Sequence, residues 1–207
     1  MAGTVLEHVT EAKYLGVLIS DDLEWSQHID HVTTKSNSVL GLLRRNISMC
    51  PIKLREQAYV ALIRSRLEYC APVWDPHYAK DINNLERTQR RAARFVSQQY
   101  DPRASVTDIL NDLKWPPLKD RRRDLRLALM FKIVQGKVAI RADDYFTPAD
   151  TRTRRSHNFK FRTIRSHTEQ HRHSFFVRTI PDWNNLPETV VTADTTATFL
   201  SRLRATP

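Results

Sequence analysis

A mainly α-helical fold with a short β-hairpin at its N-terminus is what this 207-residue sequence predicts. Three observations carry the prediction. Between Ser26 and about Gln135, apolar residues recur at helical spacing in successive segments separated by turn-forming breaks. Runs rich in β-branched and aromatic residues stand together only near the start, in "TVLEHV" and "KYLGVLIS" around the break "TEA". No internal repeat and no low-complexity linker divides the chain.

In order, the two N-terminal runs read as an antiparallel hairpin or a pair of sheet-edge strands. Two strands alone are marginally stable, so their sheet is expected to be completed elsewhere. A helix follows from Ser26 to Arg45, with Ile29, Val32, Val39, Leu40 and Leu43 in phase and Asn46 as terminator. "CPIKLREQAYVALIRSRLEYC" opens the next, Pro51 supplying a fixed φ at the first helical position and Leu54, Ala58, Ala61 and Leu62 forming one face. Its broad apolar arc predicts a central place. Two prolines in "APVWDP" break the chain before a helix from about Lys80 to Val96, which "YDPRAS" ends. Ser105 caps a short helix, "VTDILNDL", and "WPP" separates it from a longer one, about Leu118 to Gln135, with Gly136 at a stop position. Residues 137–173 have weak periodicity and read as extended loop, in which "FKFR" alternates aromatic and cation. "SFFVRTIPDWNNLP" and "TTATFLSRLR" add one short helix each.

The charge balance points to a polyanionic partner. Lys plus Arg number 33 against 23 Asp plus Glu, giving a net charge of +10. The excess is uneven: residues 1–50 hold 4 basic and 6 acidic groups, residues 51–150 hold 19 and 13, and residues 151–207 hold 10 and 4. Within the Lys80–Val96 helix, Arg87, Arg90, Arg91 and Arg94 fall at i, i+3, i+4 and i+7, within one narrow arc, while Ile82, Leu85, Gln89, Ala92 and Val96 centre on the other side. Like charges at i, i+4 weaken a helix slightly, so helix stability does not explain the stripe. It reads either as a phosphate-binding face or as a solvated face paired with acids elsewhere. "KDRRRDLR" supplies a second basic cluster with Arg121, Arg122 and Arg123. A third, Arg152, Arg154, Arg155, Lys160, Arg162 and Arg165 interleaved with Phe159 and Phe161, reads as a nucleic-acid contact or as a basic loop.

Other chemistries find little support. The four glycines form neither GxGxxG nor GxxxxGK, so no dinucleotide or P-loop site is expected, nor a small-molecule substrate. Cys50 and Cys70 form no CxxC pair, and nothing before them reads as a signal peptide, so two inert thiols in a reducing compartment are the default. No apolar run approaches the roughly 18 residues of a membrane span. His167, His171 and His173 give H-x3-H-x-H without a nearby cysteine or acidic ligand, and read as histidines in a basic stretch rather than a metal site. Asp21, Asp22 and Glu24 suit a turn before the first helix. Trp25, Trp74, Trp115 and Trp183 stand at element boundaries, where core closure is the expected role.

"KYLGVLISDDLEW", "LRRN", "EQAYVALIRSRLEY", "VWDP", "LERTQRRAARFV", "LKWPPLKDRRR", "FKIVQG" and "SFFVRTIPDWNNLP" together resemble the C-terminal region of reverse transcriptases from LINE-type, Jockey-like non-LTR retrotransposons, in that family's order, from about Lys13 to Arg204. The resemblance implies a helical thumb-like bundle with a β-hairpin left over from a polymerase palm. Residues 1–24 would be the last palm strands, with Tyr14, Leu15 and Gly16 at the trailing edge. Residues 25–136 would form the thumb-like domain, and residues 137–207 a basic loop and C-terminal short helices. It implies that the arginine stripe lines a channel for RNA, an RNA–DNA hybrid or DNA, touching phosphates and not bases. The metal-holding carboxylates of such a polymerase precede the palm's last strand, so this chain is expected to grip nucleic acid without polymerising and to hold no cofactor itself, although the parent enzyme would need Mg2+. "RADDYF" is not the family's aromatic-Ala-Asp-Asp hairpin: it follows the "YLG" segment and has Arg141 where the aromatic belongs. The rival expectation is a helical interaction module that docks an acidic protein or the missing fingers and palm.

Overall fold

A computed structural model describes residues 9–149 and 159–206. Two strands, β1 (Glu11–Tyr14) and β2 (Val17–Ser20), pair antiparallel in the register Glu11↔Ser20 to Tyr14↔Val17. The turn between them is Leu15–Gly16, with φ of 46° and 87°. Two successive positive φ values are what a tight hairpin needs to match strand twist. This corrects the expected break at "TEA": Glu11 and Ala12 lie inside β1, "YLG" forms a strand end and a turn, and most of "TVLEHV" falls outside the described residues. Leu is a poor turn residue, which is why the sequence hid the corner. Helix makes up 62% of the structure, so the mainly α expectation holds.

Contacts divide the chain into two compact units, Met1–Cys70 with Trp74–Leu118 and Ala71–Val73 with Lys119–Pro207. In the first, α1 (Ser26–Ile47) runs past the expected Asn46 stop, its Ile29, Val32, Leu40 and Leu43 buried. Next come α2 (Ile52–Tyr59), a π-helical turn (Val60–Arg64) and α3 (Ser65–Glu68) as one rod. Its buried face is Arg55, Tyr59, Ile63 and Leu67, whereas the expected face is not: Leu54, Ala61 and Leu62 are exposed and Ala58 is half-buried. Positions four apart drift by about 40° per step on an ideal α-helix. The π turn takes up that drift and aligns the four. Arg55 is buried because its guanidinium donates to the carbonyls of Val96 (3.1 Å) and Ser48 (2.8 Å), satisfying chain ends that would otherwise lack partners.

A short turn of helix, α4 (Ala71–Trp74), occupies part of the expected "APVWDP" break, followed by α5 (Ala79–Ser97) and α6 (Val106–Asp112). Ser105 caps α6 as expected, accepting from the Asp108 amide at 3.3 Å. Lys114, at φ 55°, closes its other end with the amide pair Lys114→Asn111 and Trp115→Leu110. Trp115 then stacks on Tyr59, ring centroids 4.0 Å apart, and donates to Glu56 at 3.0 Å. Gln89 accepts from the Tyr59 hydroxyl and donates to the Pro116 carbonyl, which explains its place on the buried side of α5.

The second unit is built on α7 (Leu118–Val134), which Gly136 ends at φ 62° through the amide pair Gly136→Ile133 and Lys137→Lys132. A 3-10 turn (Ala142–Asp144), α8 (Glu169–Arg172), α9 (Phe175–Asn184), α10 (Glu188–Val191) and α11 (Thr196–Ala205) follow. Leu127, Met130 and Phe131 of α7 enclose an apolar core with Ile180, Trp183, Val190 and Phe199. Phe131 stacks on Phe199 at 4.6 Å. That packing assigns α7 to the C-terminal elements, where the sequence placed it with the helices before it. "FKFR" is tied rather than loose: Phe161 bridges Pro148, and Asn184 hydrogen-bonds both the amide (3.0 Å) and the carbonyl (2.7 Å) of Phe161.

Candidate nucleic-acid interface

α5 buries a wide arc, from Asp81 and Leu85 through Gln89 and Ala92 to Phe95 and Val96, with Ile82 half-buried at its edge. Asp81 anchors the N-terminal end by accepting from Ser26 Oγ at 2.7 Å. Its carboxylate also suits the positive end of the α5 dipole. What stays outside is the arginine stripe, and its members are not equivalent. Arg87, Arg90 and Arg91 are exposed. Arg94 is half-buried and donates to the carbonyls of Gln99 (3.2 Å), Asp101 (2.9 Å) and Ala104 (3.1 Å). Its guanidinium therefore shapes the loop after α5.

The exposed three have only neutral partners. Arg87 donates to Asn84 Oδ1 at 3.0 Å and Arg91 to Asn37 Oδ1 at 3.3 Å, while Arg90 makes no polar contact among the described residues. Beneath them a polar seam joins α5 to α1. Asn84 donates to Asp30 (2.9 Å) and Thr33 (3.2 Å), and Asn37 donates to the Thr33 carbonyl (2.8 Å). The seam fixes the arginine stems without neutralising their heads. Asp30, Lys80, Asn83, Asn84, Arg87 and Arg90 line a shallow cleft of about 350 Å3 at the N-terminal end of the stripe. Arg44 of α1 donates to the Arg91 carbonyl at 3.2 Å and lies 6.0 Å from the Tyr100 ring centroid, adding a cation that sequence reading missed. No spacing rule within one helix reveals a neighbour on another; "LRRN" is its only local trace.

The second basic cluster is differently disposed. Arg122 is 1% exposed, so a phosphate cannot reach it without local opening. Arg121 is half-buried. Arg123 lies 3.9 Å from Asp182, which also pairs with the buried Arg126. Of the third cluster, Arg154 and Arg155, with Arg152, lie outside the described residues. Lys160 is half-buried and Arg162 exposed, on a segment whose backbone pairs with Thr147 and Ala149. The structure thus brings together Arg87, Arg90 and Arg91 with Lys80 and Arg44, all within the first unit.

The remaining motifs fall where ordinary packing puts them. Trp74, Trp115 and Trp183 are buried, and Trp25 is half-buried ahead of α1. His173 faces Glu169 at 3.3 Å, and among the described residues no three His, Cys, Asp or Glu side chains are grouped to hold a metal ion. Asp22 accepts from the Glu24 amide at 2.8 Å in an exposed turn, and Asp143 and Asp144 are exposed on the 3-10 turn. His28 is buried against Trp74, with Nδ1 accepting from the Leu18 amide at 3.2 Å. Burial, reinforced by His31, lowers its pKa from 6.5 to about 4 and keeps the ring neutral. No described helix is long and apolar enough to cross a membrane. Comparison with family models, curated proteins and solved structures gives no match to the chain.

Proposed function

We propose that the chain is the thumb-like, C-terminal region of a non-LTR reverse transcriptase and that it holds RNA or an RNA–DNA hybrid through arginine–phosphate contacts, leaving polymerisation to the parent enzyme. The single observation that carries this reading is the exposed trio Arg87, Arg90 and Arg91 on a rigid, otherwise buried helix, partnered only by neutral side chains. A cationic face meant merely for solubility would gain from nearby carboxylates, and this one has asparagines instead. The ordered motifs that resemble that family supply the polymerase context, and the β-hairpin is read as the end of its palm. Phosphate contacts of this kind position a duplex and do not read its sequence.

The test is fluorescence anisotropy with a labelled RNA–DNA hybrid at several salt concentrations. Three arginines with Lys80 would neutralise about three to four phosphates, so log K against log salt should fall with a slope near −3. Primer extension by the chain alone should be absent; its detection would overturn the reading.

One observation favours docking to the rest of a polymerase as well. All four β1 residues are exposed, and the turn presents Tyr14 at 66% and Leu15 at 72% exposure. An unpaired strand edge of that kind is a template for another strand. Association with a separately expressed fingers-and-palm piece, together with undetectable nucleic-acid binding in dilute buffer, would make docking the main role.

A further inference from the structure

On the side of α1 away from α5 lies a second cavity, of about 610 Å3, whose lining includes His31, Val32, Lys35, Leu62, Arg66 and Tyr69. His31 and Lys35 are one turn apart, and the helical phase separates them from Asp30, Thr33 and Asn37, which face the α5 seam. The cavity is therefore not an extension of the arginine face. Its size falls within the roughly 300–1,000 Å3 range of small-ligand clefts.

The lining is chemically biased. It holds Lys35, Arg66 and His31 and no carboxylate. Lys35 and Arg66 are exposed and neither has a polar partner among the described residues. Opposite them stand apolar and aromatic surfaces. The π-helical turn places Ala61 and Leu62 in the wall, an interruption of regular helix that recurs at functional sites. Leu62 is half exposed despite its size, as is Tyr69. The Tyr69 ring is not loose: its hydroxyl donates to the Leu15 carbonyl at 2.9 Å, and it lies in van der Waals reach of Gly16, 3.5 Å from where a Cβ there would stand. Ser65 adds a hydroxyl on the same rim.

Cations on one side and a fixed aromatic ring beside a leucine on the other match a ligand with an anionic end and a planar end. We propose that this cavity binds a nucleotide, with Arg66 and Lys35 on its phosphate and the base lying against Tyr69 and Leu62. Arginine offers a planar fork to phosphate oxygens and lysine a mobile point charge. A tyrosine face accepts any base, so selectivity rests on the phosphate.

The experiment is calorimetric titration of the full chain at low salt with adenosine monophosphate, adenosine, and a dinucleotide with and without a 5′-phosphate. The monophosphate should bind saturably, and adenosine at least about tenfold more weakly, a factor corresponding to about 1.4 kcal/mol. Lys35→Ala with Arg66→Ala should reduce monophosphate affinity by a similar factor, while Arg87→Glu with Arg91→Glu should leave it unchanged. That last pair separates failure of this proposal from failure of the arginine-face reading. Preference for the 5′-phosphorylated dinucleotide would identify a strand end as the source, and preference for the monophosphate a free nucleotide; both support the site. Equal binding of adenosine and its monophosphate, an unaffected double variant, or no saturable binding would overturn it. Should the double variant lose its helical circular dichroism, the adenosine comparison on the unaltered chain decides.

Discussion

The basic stretches of α5 and α7 look alike as sequence, "LERTQRRAAR" and "KDRRRDLR", and the fold uses them in opposite ways. On α5, Arg87, Arg90 and Arg91 keep their guanidinium groups in solvent beside asparagines. On α7, Arg122 and Arg126 are buried, and Asp182, 56 residues after Arg126, supplies the carboxylate. A further α7 residue, Asp124, pairs with Arg204 at 2.9 Å. Positive charge marks a candidate surface only once its acidic partners are known. The first helix retains a field that can attract a polyanion, and the second turns most of its charge inward as structure.

The comparison can be broken most severely at Asp182. Replacing it with Ala leaves Arg126 buried beside no carboxylate, and the second unit should lose about 3 kcal/mol, the low end of the buried-pair range because Asp182 is 34% exposed. Denaturant unfolding followed by Trp183 fluorescence measures it. A loss below about 0.5 kcal/mol would show that α7's arginines are no more embedded than those of α5.

Acid should strike the first unit through its own buried base. His28 has a folded pKa near 4 against 6.5 unfolded. The unfolded chain therefore takes up a proton that the native state refuses. Stability is retained above pH 6.5 and falls as pH drops towards 4, by about 2–3 kcal/mol over that window. His28→Gln should flatten this part of the stability–pH curve; an unchanged slope would remove His28 as the cause.

Arg94 sharpens the comparison within α5 itself. Arg94→Ala removes three donations to the 99–104 loop and should cost about 1 kcal/mol, with faster amide exchange in that loop. The smallest effect on stability belongs to Arg87→Ala and Arg90→Ala, within about 0.5 kcal/mol by thermal unfolding, because neither side chain holds the fold together.

What the sequence disclosed follows from range. Helices with a strong period or a local stop were legible: α5 from its two faces, α6 from Ser105, and the end of α7 from Gly136. The Leu15–Gly16 corner was not, because a leucine at positive φ contradicts its propensity and is held by the register of the paired strands. Nor was the buried face of the α2–α3 rod, because one π turn shifts the phase that an ideal helix predicts. At the candidate site the stripe was visible as spacing, yet the separation of Arg94 from its neighbours depends on where residues 99–104 fold back. The fate of Arg122 and Arg126 depended on carboxylates and packing more than fifty residues away.

The most direct measurement is the salt dependence of RNA–DNA hybrid binding for the unaltered chain and for Arg87→Glu with Arg91→Glu. The α5 face predicts a slope of log K against log salt near −3 that loses about 2 units in the variant. A slope that the variant leaves unchanged would contradict it.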